Sequence, residues 1–131
     1  MRQEDITAAL VQLKRIGNLL DDILDLTRQL AEAADREDQV TVRMLLAMRR
    51  EPIEQLVAGE QQLHSQVAAL PEEEGRQLAD HLNGTAADDG GPWSQLDRQV
   101  AYNRRQHGHL IQLDQAVNRK ISREKTVYPS G

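Results

Sequence analysis

The sequence predicts an all-α protein: an elongated antiparallel helical bundle, built on a coiled-coil-like hairpin and followed by a C-terminal amphipathic helix. Two observations predict this fold. Apolar residues recur every three or four positions over most of the 131 residues, which is the spacing of one face of a helix. Only 8 glycines and 4 prolines are present to interrupt that pattern.

Composition limits the remaining classes. The chain has no cysteine, which excludes disulfide frameworks, thiolate zinc sites and cysteine nucleophiles and suits a reducing compartment. Aromatic residues are 2% of the chain, so aliphatic side chains must form any core. No apolar run reaches the roughly 18–20 residues of a membrane span, and the polar start of the chain does not resemble a signal peptide. We therefore expect a cytoplasmic protein with no membrane insertion.

The first predicted helix runs from about Asp5 to Ala34. Its apolar stripe is wide, which is typical of a helix packed in a bundle. Asp5 is placed to accept a hydrogen bond from the first free amides as an N-cap. The stripe consists of Ile6, Leu10, Leu13, Gly17, Leu20, Leu24, Thr27, Ala31 and Ala34, with Ala9, Ile16, Ile23 and Leu30 beside it.

A second helix follows the polar break at residues 35–38, with Asp38 as its predicted cap. So short a connection favours an antiparallel hairpin. The predicted inner face of this helix is Val42, Leu46, Arg49, Ile53, Leu56, Glu60, Leu63, Val67 and Leu70.

Two features interrupt the second helix. Pro52 removes a backbone donor and clashes with the preceding turn, so we expect a kink, or a break and restart, near Arg50–Glu51. Arg49 and Glu60 occupy positions on the apolar face. We expect their aliphatic stems to extend to the edge of the bundle.

The third predicted helix is short. Pro71 followed by three glutamates is a strong start signal, because proline fits the first helical position and acids suit the positive end of the helix dipole. Leu78 and Leu82 form its apolar pair, and Asn83–Gly84 ends it. The polar residues 85–92 then predict a flexible linker.

The last helix is predicted from about Trp93 to Arg123. Residues 125–131 are expected to form an extended tail, because Pro129 biases Tyr128 away from helical geometry. The chain therefore divides, within a single domain, into an N-terminal hairpin with a short third helix (1–84), a linker (85–92) and a C-terminal amphipathic helix with its tail (93–131).

Charge is distributed unevenly over these parts. Residues 1–92 carry 9 basic and 18 acidic side chains, whereas residues 93–131 carry 7 basic and 3 acidic ones. The basic end can fold back on the acidic body or can be offered to a partner. Both alternatives are open from composition alone.

The residues that could carry chemistry do not form a recognisable site. His107 and His109 are two positions apart, which places them on different sides of a helix. Asn103, His107 and Asp114 share a face but lack a third strong metal donor, and polar residues that set the register of a bundle explain them better. We therefore expect no metal and no other cofactor.

Catalysis and nucleic-acid binding find equally little support. No serine lies in a sharp glycine-flanked turn, and Gly90–Gly91 lacks the lysine and hydroxyl residue of a phosphate loop. The basic residues of the last helix are spread around it, and the acidic body would repel a polyanion. We expect neither an enzyme nor a nucleic-acid partner, which leaves the binding of another protein by an amphipathic helix.

Parts of the sequence resemble the flagellar export chaperones of the FlgN type and the related filament-cap chaperones. The resemblance lies in residues 24–34 through Asp38, in residues 42–50 and in residues 53–56, which place a degenerate leucine-rich pattern on the first hairpin. Asn103, Leu110–Ile111, Leu113 and the final residues 128–131 are similar to the C-terminal helix and short tail of that family. Pro52 and the long linker depart from its plainest pattern.

The resemblance implies a chaperone that holds the C-terminal segments of hook–filament junction proteins, prevents their premature assembly and delivers them to the type III export machinery. It implies that the last helix contacts the client. A self-associating structural or regulatory coiled-coil protein is the alternative, and for the chaperone we expect at most a weak homodimer. Trp93 would anchor the start of the contact helix, or else be a buried tryptophan of the bundle. The implied partner-binding residues are Trp93, Leu96, Val100, Asn103, Leu110, Ile111, Val117 and Ile121.

Overall fold

The fold is that of a computed structural model, which describes residues 1–86 and 91–127. Within these ranges the chain forms four helices and no strand, which confirms the predicted all-α class. The helices are α1 (Gln3–Asp35), α2 (Gln39–Ala68), α3 (Glu72–Leu82) and α4 (Ser94–Val127).

Of the two predicted N-caps, the cap of α2 is confirmed and the cap of α1 is wrong. Asp38 caps α2 as predicted: the Thr41 amide donates to Asp38 Oδ1 at 3.1 Å and the Thr41 hydroxyl donates to Oδ2 at 2.6 Å. These two bonds lower the pKa of the Asp38 carboxyl. The predicted cap at Asp5 is wrong, since α1 begins at Gln3 after Arg2 and places Asp5 inside its first turn. There its charge still suits the positive end of the helix dipole.

Pro52 does not break α2. The helix continues from Gln39 to Ala68 with Pro52 inside it, so of the two predicted alternatives near Arg50–Glu51, a kink or a break and restart, the break is wrong. Leu45 and Leu56, on either side of the proline, are buried in contacts with neighbouring helices and hold both halves in place. Met48, the residue whose carbonyl loses its partner, has a side chain on the exposed surface, where water can satisfy that carbonyl.

The ends of α3 and α4 show one confirmed and one wrong boundary. Asn83 is the C-cap of α3, and Gly84 follows at a φ of +70°, a conformation that favours glycine. The expected extended tail is wrong for residues 125–127, because α4 continues to Val127. Proline restricts mainly the residue directly before it, here Tyr128, so the helix can run this far. Residues 87–90 of the predicted linker and residues 128–131 of the tail lie outside the described residues.

The four helices occupy the corners of a square. The close neighbours are α1 with α2, α1 with α4, α2 with α3, and α3 with α4, so that α1–α3 and α2–α4 are the diagonal pairs. α2 runs antiparallel to α1. α4 runs parallel to α1, because Trp93 packs near Ile6 and Val117 packs near Leu30. α3 has only 11 residues, against 30 or more in the other three helices, and fills its corner only at one end.

The core follows α1 in three clusters. Only the first cluster contains a residue of α3, the fully buried Leu78. The middle and distal clusters are built from α1, α2 and α4. The core is therefore enclosed by four helices at the α3 end and by three elsewhere. The buried members are Ile6, Ala9, Leu13, Leu78, Trp93, Leu96 and Val100; then Ile16, Leu20, Ile23 and Leu56; then Leu30, Ala33, Leu45 and Val117.

Candidate functional site

The contact between α1 and α4 has a polar middle section. Asn103 is buried, and its side-chain amide donates to the backbone carbonyl of Leu13 at 2.9 Å. Gln99 in turn donates to Asn103 Oδ1 at 3.0 Å. Gly17 faces both amides: a Cβ at this position would lie 2.7 Å from each of them. The absence of a side chain at Gly17 therefore lets α4 approach α1 closely at this level.

A second group of polar bonds lies one turn further along α4. The Tyr102 hydroxyl donates to Asp21 Oδ1 at 2.7 Å, and the Gln106 amide donates to the same oxygen at 2.8 Å. The bond to Asp21 is the main cause that raises the pKa of the Tyr102 phenol, with smaller contributions from burial and from the negative charge of Asp21. Hydrogen bonds with fixed geometry thus set the register of the middle of α4 on α1.

The start of α4 is anchored by an aromatic stack. The rings of His81 on α3 and Trp93 lie parallel, with centroids 3.9 Å apart and an interplanar angle of 4°. His81 Nδ1 lies 2.8 Å from Asp97 Oδ1. Both rings are buried, so Trp93 occupies the bundle as one of the two readings of the sequence anticipated. This end of α4 is held by α3 as well as by α1.

Arg49 connects α2 to α4 across the bundle. Its Nη1 donates to Asp114 Oδ1 at 2.7 Å and to Thr27 Oγ1 at 3.0 Å. Its side chain is only 13% exposed, and its buried Nε has no hydrogen-bond partner. The expectation that Arg49 extends to the edge of the bundle is therefore wrong for its charged group, since Asp114 draws that group inward. Glu60 is exposed and lines a cleft between α2 and α4.

That cleft is part of an open groove. It has a volume of about 270 Å³, its floor is formed by Leu13, Ile16 and Leu20 of α1, and it begins beside Leu82, the last residue of α3. Leu63 and Val100 form apolar parts of its walls. It is the continuation of the corner that α3 fills at the other end of the molecule.

Apolar side chains remain exposed along both walls beyond the cleft. Ile53 lies one turn from Arg49 and two turns from Glu60, which places it on the α4-facing side of α2. Ile111 lies one turn from Asp114 and one turn from His107, which lines the cleft. Val57 lies one turn from Ile53 and one turn from Glu60, on the same side of α2. Three residues on these walls are substantially exposed: Ile53 (38%), Val57 (49%) and Ile111 (43%). We refer to the cleft and these three residues together as the open corner.

The predicted partner-binding residues differ in how exposed they are to solvent. Ile111 is exposed on the wall of the open corner. Two others, Leu110 and Ile121, are half-buried against the core clusters. The remaining five are buried in the bundle: Trp93, Leu96, Val100, Asn103 and Val117.

The apolar face assigned to α2 from the sequence was partly wrong. Leu46 and Ile53 were placed on the inner face, but they are exposed, and Leu45 takes a buried position instead. A signal for this was present, because α2 carries more apolar residues than a single face can hold. Met44, Leu45 and Leu46 are consecutive, and consecutive residues cannot share one helical face.

The described residues contain no group of histidine, aspartate and glutamate side chains arranged to hold a metal ion. None of the helices in residues 1–86 and 91–127 has a stretch apolar and long enough to cross a membrane. The arrangement offers contacts between helices and an open apolar corner.

No protein-family model, curated protein or solved structure matches the chain. The fold and site define the class of the protein as an all-α helical bundle with one incompletely filled corner.

Proposed function

We propose that this chain is a non-catalytic, cytoplasmic export chaperone of the FlgN type. It binds the C-terminal segments of flagellar hook–filament junction proteins, keeps them from assembling early and delivers them to the type III export machinery. The proposal combines the resemblance of the first hairpin and last helix to that family with the shape of the bundle.

The observation that carries the proposal is the open corner. Ile53 and Val57 of α2 and Ile111 of α4 are exposed on its walls. Apolar residues clustered beside a groove are typical of a surface that another protein covers. An amphipathic helix laid in such a groove is a common mode of recognition between proteins.

The last helix retains a role in this proposal. Ile111 contributes directly from the wall of the open corner. The other predicted contact residues of α4 face the bundle and reach a client only when α4 leaves α1. The polar bonds of Tyr102, Gln106 and Asn103 favour such an exchange, since water can replace bonds of this kind more readily than it can replace apolar contacts.

The test is a binding experiment with the full chain and a purified hook–filament junction protein. We expect a one-to-one complex by light scattering coupled to size-exclusion chromatography, and we expect it to survive moderate salt. The matched control is the same junction protein without its C-terminal segment, which should not bind. No complex with the intact protein, or equal binding of the truncated one, would refute the proposal.

A self-associating bundle is the second candidate, and a separate surface favours it. Val40, Met44 and Met48 lie at four-residue intervals on α2 and are 77%, 54% and 51% exposed. Met48 lies five residues from Ile53 and Met44 lies nine residues from it, and neither separation places two residues on the same face of a helix. This stripe therefore faces away from the open corner. If self-association is the function, the chain alone should be a stable dimer or larger, and Met44→Asp should return it to a monomer.

A further inference from the structure

We infer that the open corner is the seat of a single amphipathic helix from another protein, which continues the line of α3, completes a four-helix bundle and carries acidic residues at the edges of its apolar stripe. This inference rests on the proposed binding of a partner protein. It adds where the partner lies and what chemistry it presents.

The first argument is continuity with a helix that already occupies this corner. α3 packs between α2 and α4 and inserts Leu78 into the core. It ends at Leu82, where the cleft begins, while α2 and α4 extend far beyond it. The surface beyond α3 is thus made by the same two helices, and its floor is again apolar. A second helix placed on the line of α3 would therefore pack between α2 and α4, as α3 does.

The length of the groove sets the length of its occupant. On α4 the open corner extends from Arg104, which lines the cleft, to Asp114, which pairs with Arg49. Ten residues of helix span about 15 Å. A partner helix of about 10 to 15 residues therefore covers the exposed apolar residues, with its own apolar residues at three- and four-residue intervals.

The second argument is charge. Arg50, Ile53, Val57 and Glu60 follow one another at intervals of three and four along α2 and so share a face. On the opposite wall, Arg104 lies at the α3 end of the groove. The open corner is thus bordered by three arginines, Arg49, Arg50 and Arg104, and two acids, Glu60 and Asp114. Arg49 and Asp114 pair with each other, which leaves a local excess of positive charge, although the whole chain has a net charge of −5. Acidic residues beside the apolar stripe of the partner match this local excess of positive charge.

A second copy of this chain is a poorer occupant. Its long helices α2 and α4 both pack on α1, so it has no single long helix to insert without unpacking its own core. Its exposed stripe at Val40, Met44 and Met48 belongs to a helix that is packed on α1. That stripe would bring a whole bundle to the open corner, which has room for one helix.

The test uses two designed peptides of 18 residues as probes. Both have leucines at three- and four-residue intervals, and they differ only in the flanking residues, which are glutamate in one and lysine in the other. We expect the glutamate peptide to bind the full-length protein at least about fivefold more tightly by isothermal titration calorimetry, with the difference shrinking in high salt. Equal affinity, or tighter binding of the lysine peptide, would overturn the inference.

Variants locate the bound peptide. Ile53→Asp and Ile111→Asp should each weaken binding of the glutamate peptide by about tenfold or more, because they place a charge on the apolar wall. Met44→Asp is the matched control on the other face of α2 and should leave affinity within about twofold of wild-type. All three positions are exposed, and unchanged circular dichroism will show that the fold is kept. A loss with Met44→Asp as large as with Ile53→Asp would overturn the inference.

The same variants distinguish this inference from the proposed function. If a junction protein binds but is insensitive to both Ile53→Asp and Ile111→Asp, the chaperone function stands and the open corner is not its binding site. If binding of the glutamate peptide depends on these residues while no junction protein binds, the open corner is supported as a helix-binding site and the proposed flagellar client is refuted.

Discussion

Arg49 on α2 and Asp114 on α4 meet at 2.7 Å although their helices lie on a diagonal of the bundle. The pair closes one end of the open corner and joins two helices whose backbones scarcely approach each other. Thr27 on α1 shares the guanidinium, so that three helices meet at a single charged group.

Removal of the acid should cost more than removal of both charges. Asp114→Ala leaves the mostly buried Arg49 without its anion, and we expect a loss of about 1–3 kcal/mol in the free energy of unfolding. The double variant Arg49→Met with Asp114→Leu should lie within about 1 kcal/mol of wild-type, because no charge is stranded. Urea denaturation followed by circular dichroism measures both. Equal losses in the two variants would show that packing, not charge, holds this contact.

Gly17 and Gly108 form a matched pair of helix glycines with opposite expected effects. Gly17→Ala places a methyl group 2.7 Å from the Asn103 and Gln99 amides, and because Asn103 is held by Leu13, the substitution should destabilise the protein by about 1–2 kcal/mol. Gly108→Ala meets nothing within 4 Å and should stabilise it by up to about 1 kcal/mol. Denaturant midpoints test this pair, and a stabilising Gly17→Ala would refute the close approach of α4.

Tyr102 should make stability depend on alkaline pH. Its folded pKa is raised above 10.0, chiefly by the hydrogen bond to Asp21, so its contribution is fully present below pH 10 and is lost as the pH rises through the raised pKa. The stability difference between wild-type and Tyr102→Phe should therefore shrink above that pH. Urea titrations of both proteins from pH 8 to 11.5 measure it, and a difference that is constant over this range would contradict the prediction.

Asp38 should give the opposite dependence at low pH. Its folded pKa is lowered below 3.8 by the bonds from Thr41, so the cap stabilises the hairpin above that pH, and the effect is lost as the pH falls through the lowered pKa. Asp38→Ala should lower the melting temperature at pH 7 and lose its effect at strongly acid pH. Asp38→Asn, which keeps an acceptor oxygen, is the control and should retain most of the stability at pH 7.

The sequence predicted the helices well and their partners less well. Periodicity and caps located all four helices, including the signals at Asp38 and Gly84, because these depend on residues near in the chain. The inner face of α2 was harder. Leu45 and Leu46 are equally apolar, and only the position of α1 and α4 decides that Leu45 is buried.

The candidate site was even less accessible to prediction. Its walls come from α2 and α4, which are distant in the chain, and it exists because α3 ends early rather than because of a motif. Ile111 was identified from the stripe of α4, but its counterparts Ile53 and Val57 could not be, since a pattern along one helix does not show which corner of a bundle lacks a helix.

The parallel course of α1 and α4 has a mechanical consequence. Gln3 and Val127 lie at opposite ends of a molecule about 50 Å long, the length of a helix such as α1. Tension between these two points slides α4 along α1, so that the bonds of the whole seam resist together. Tension between the turn at residues 36–38 and Val127, which lie at the same end, would instead peel α4 away one turn after another. The force needed to separate α4 from α1 therefore depends on the two points at which the molecule is pulled.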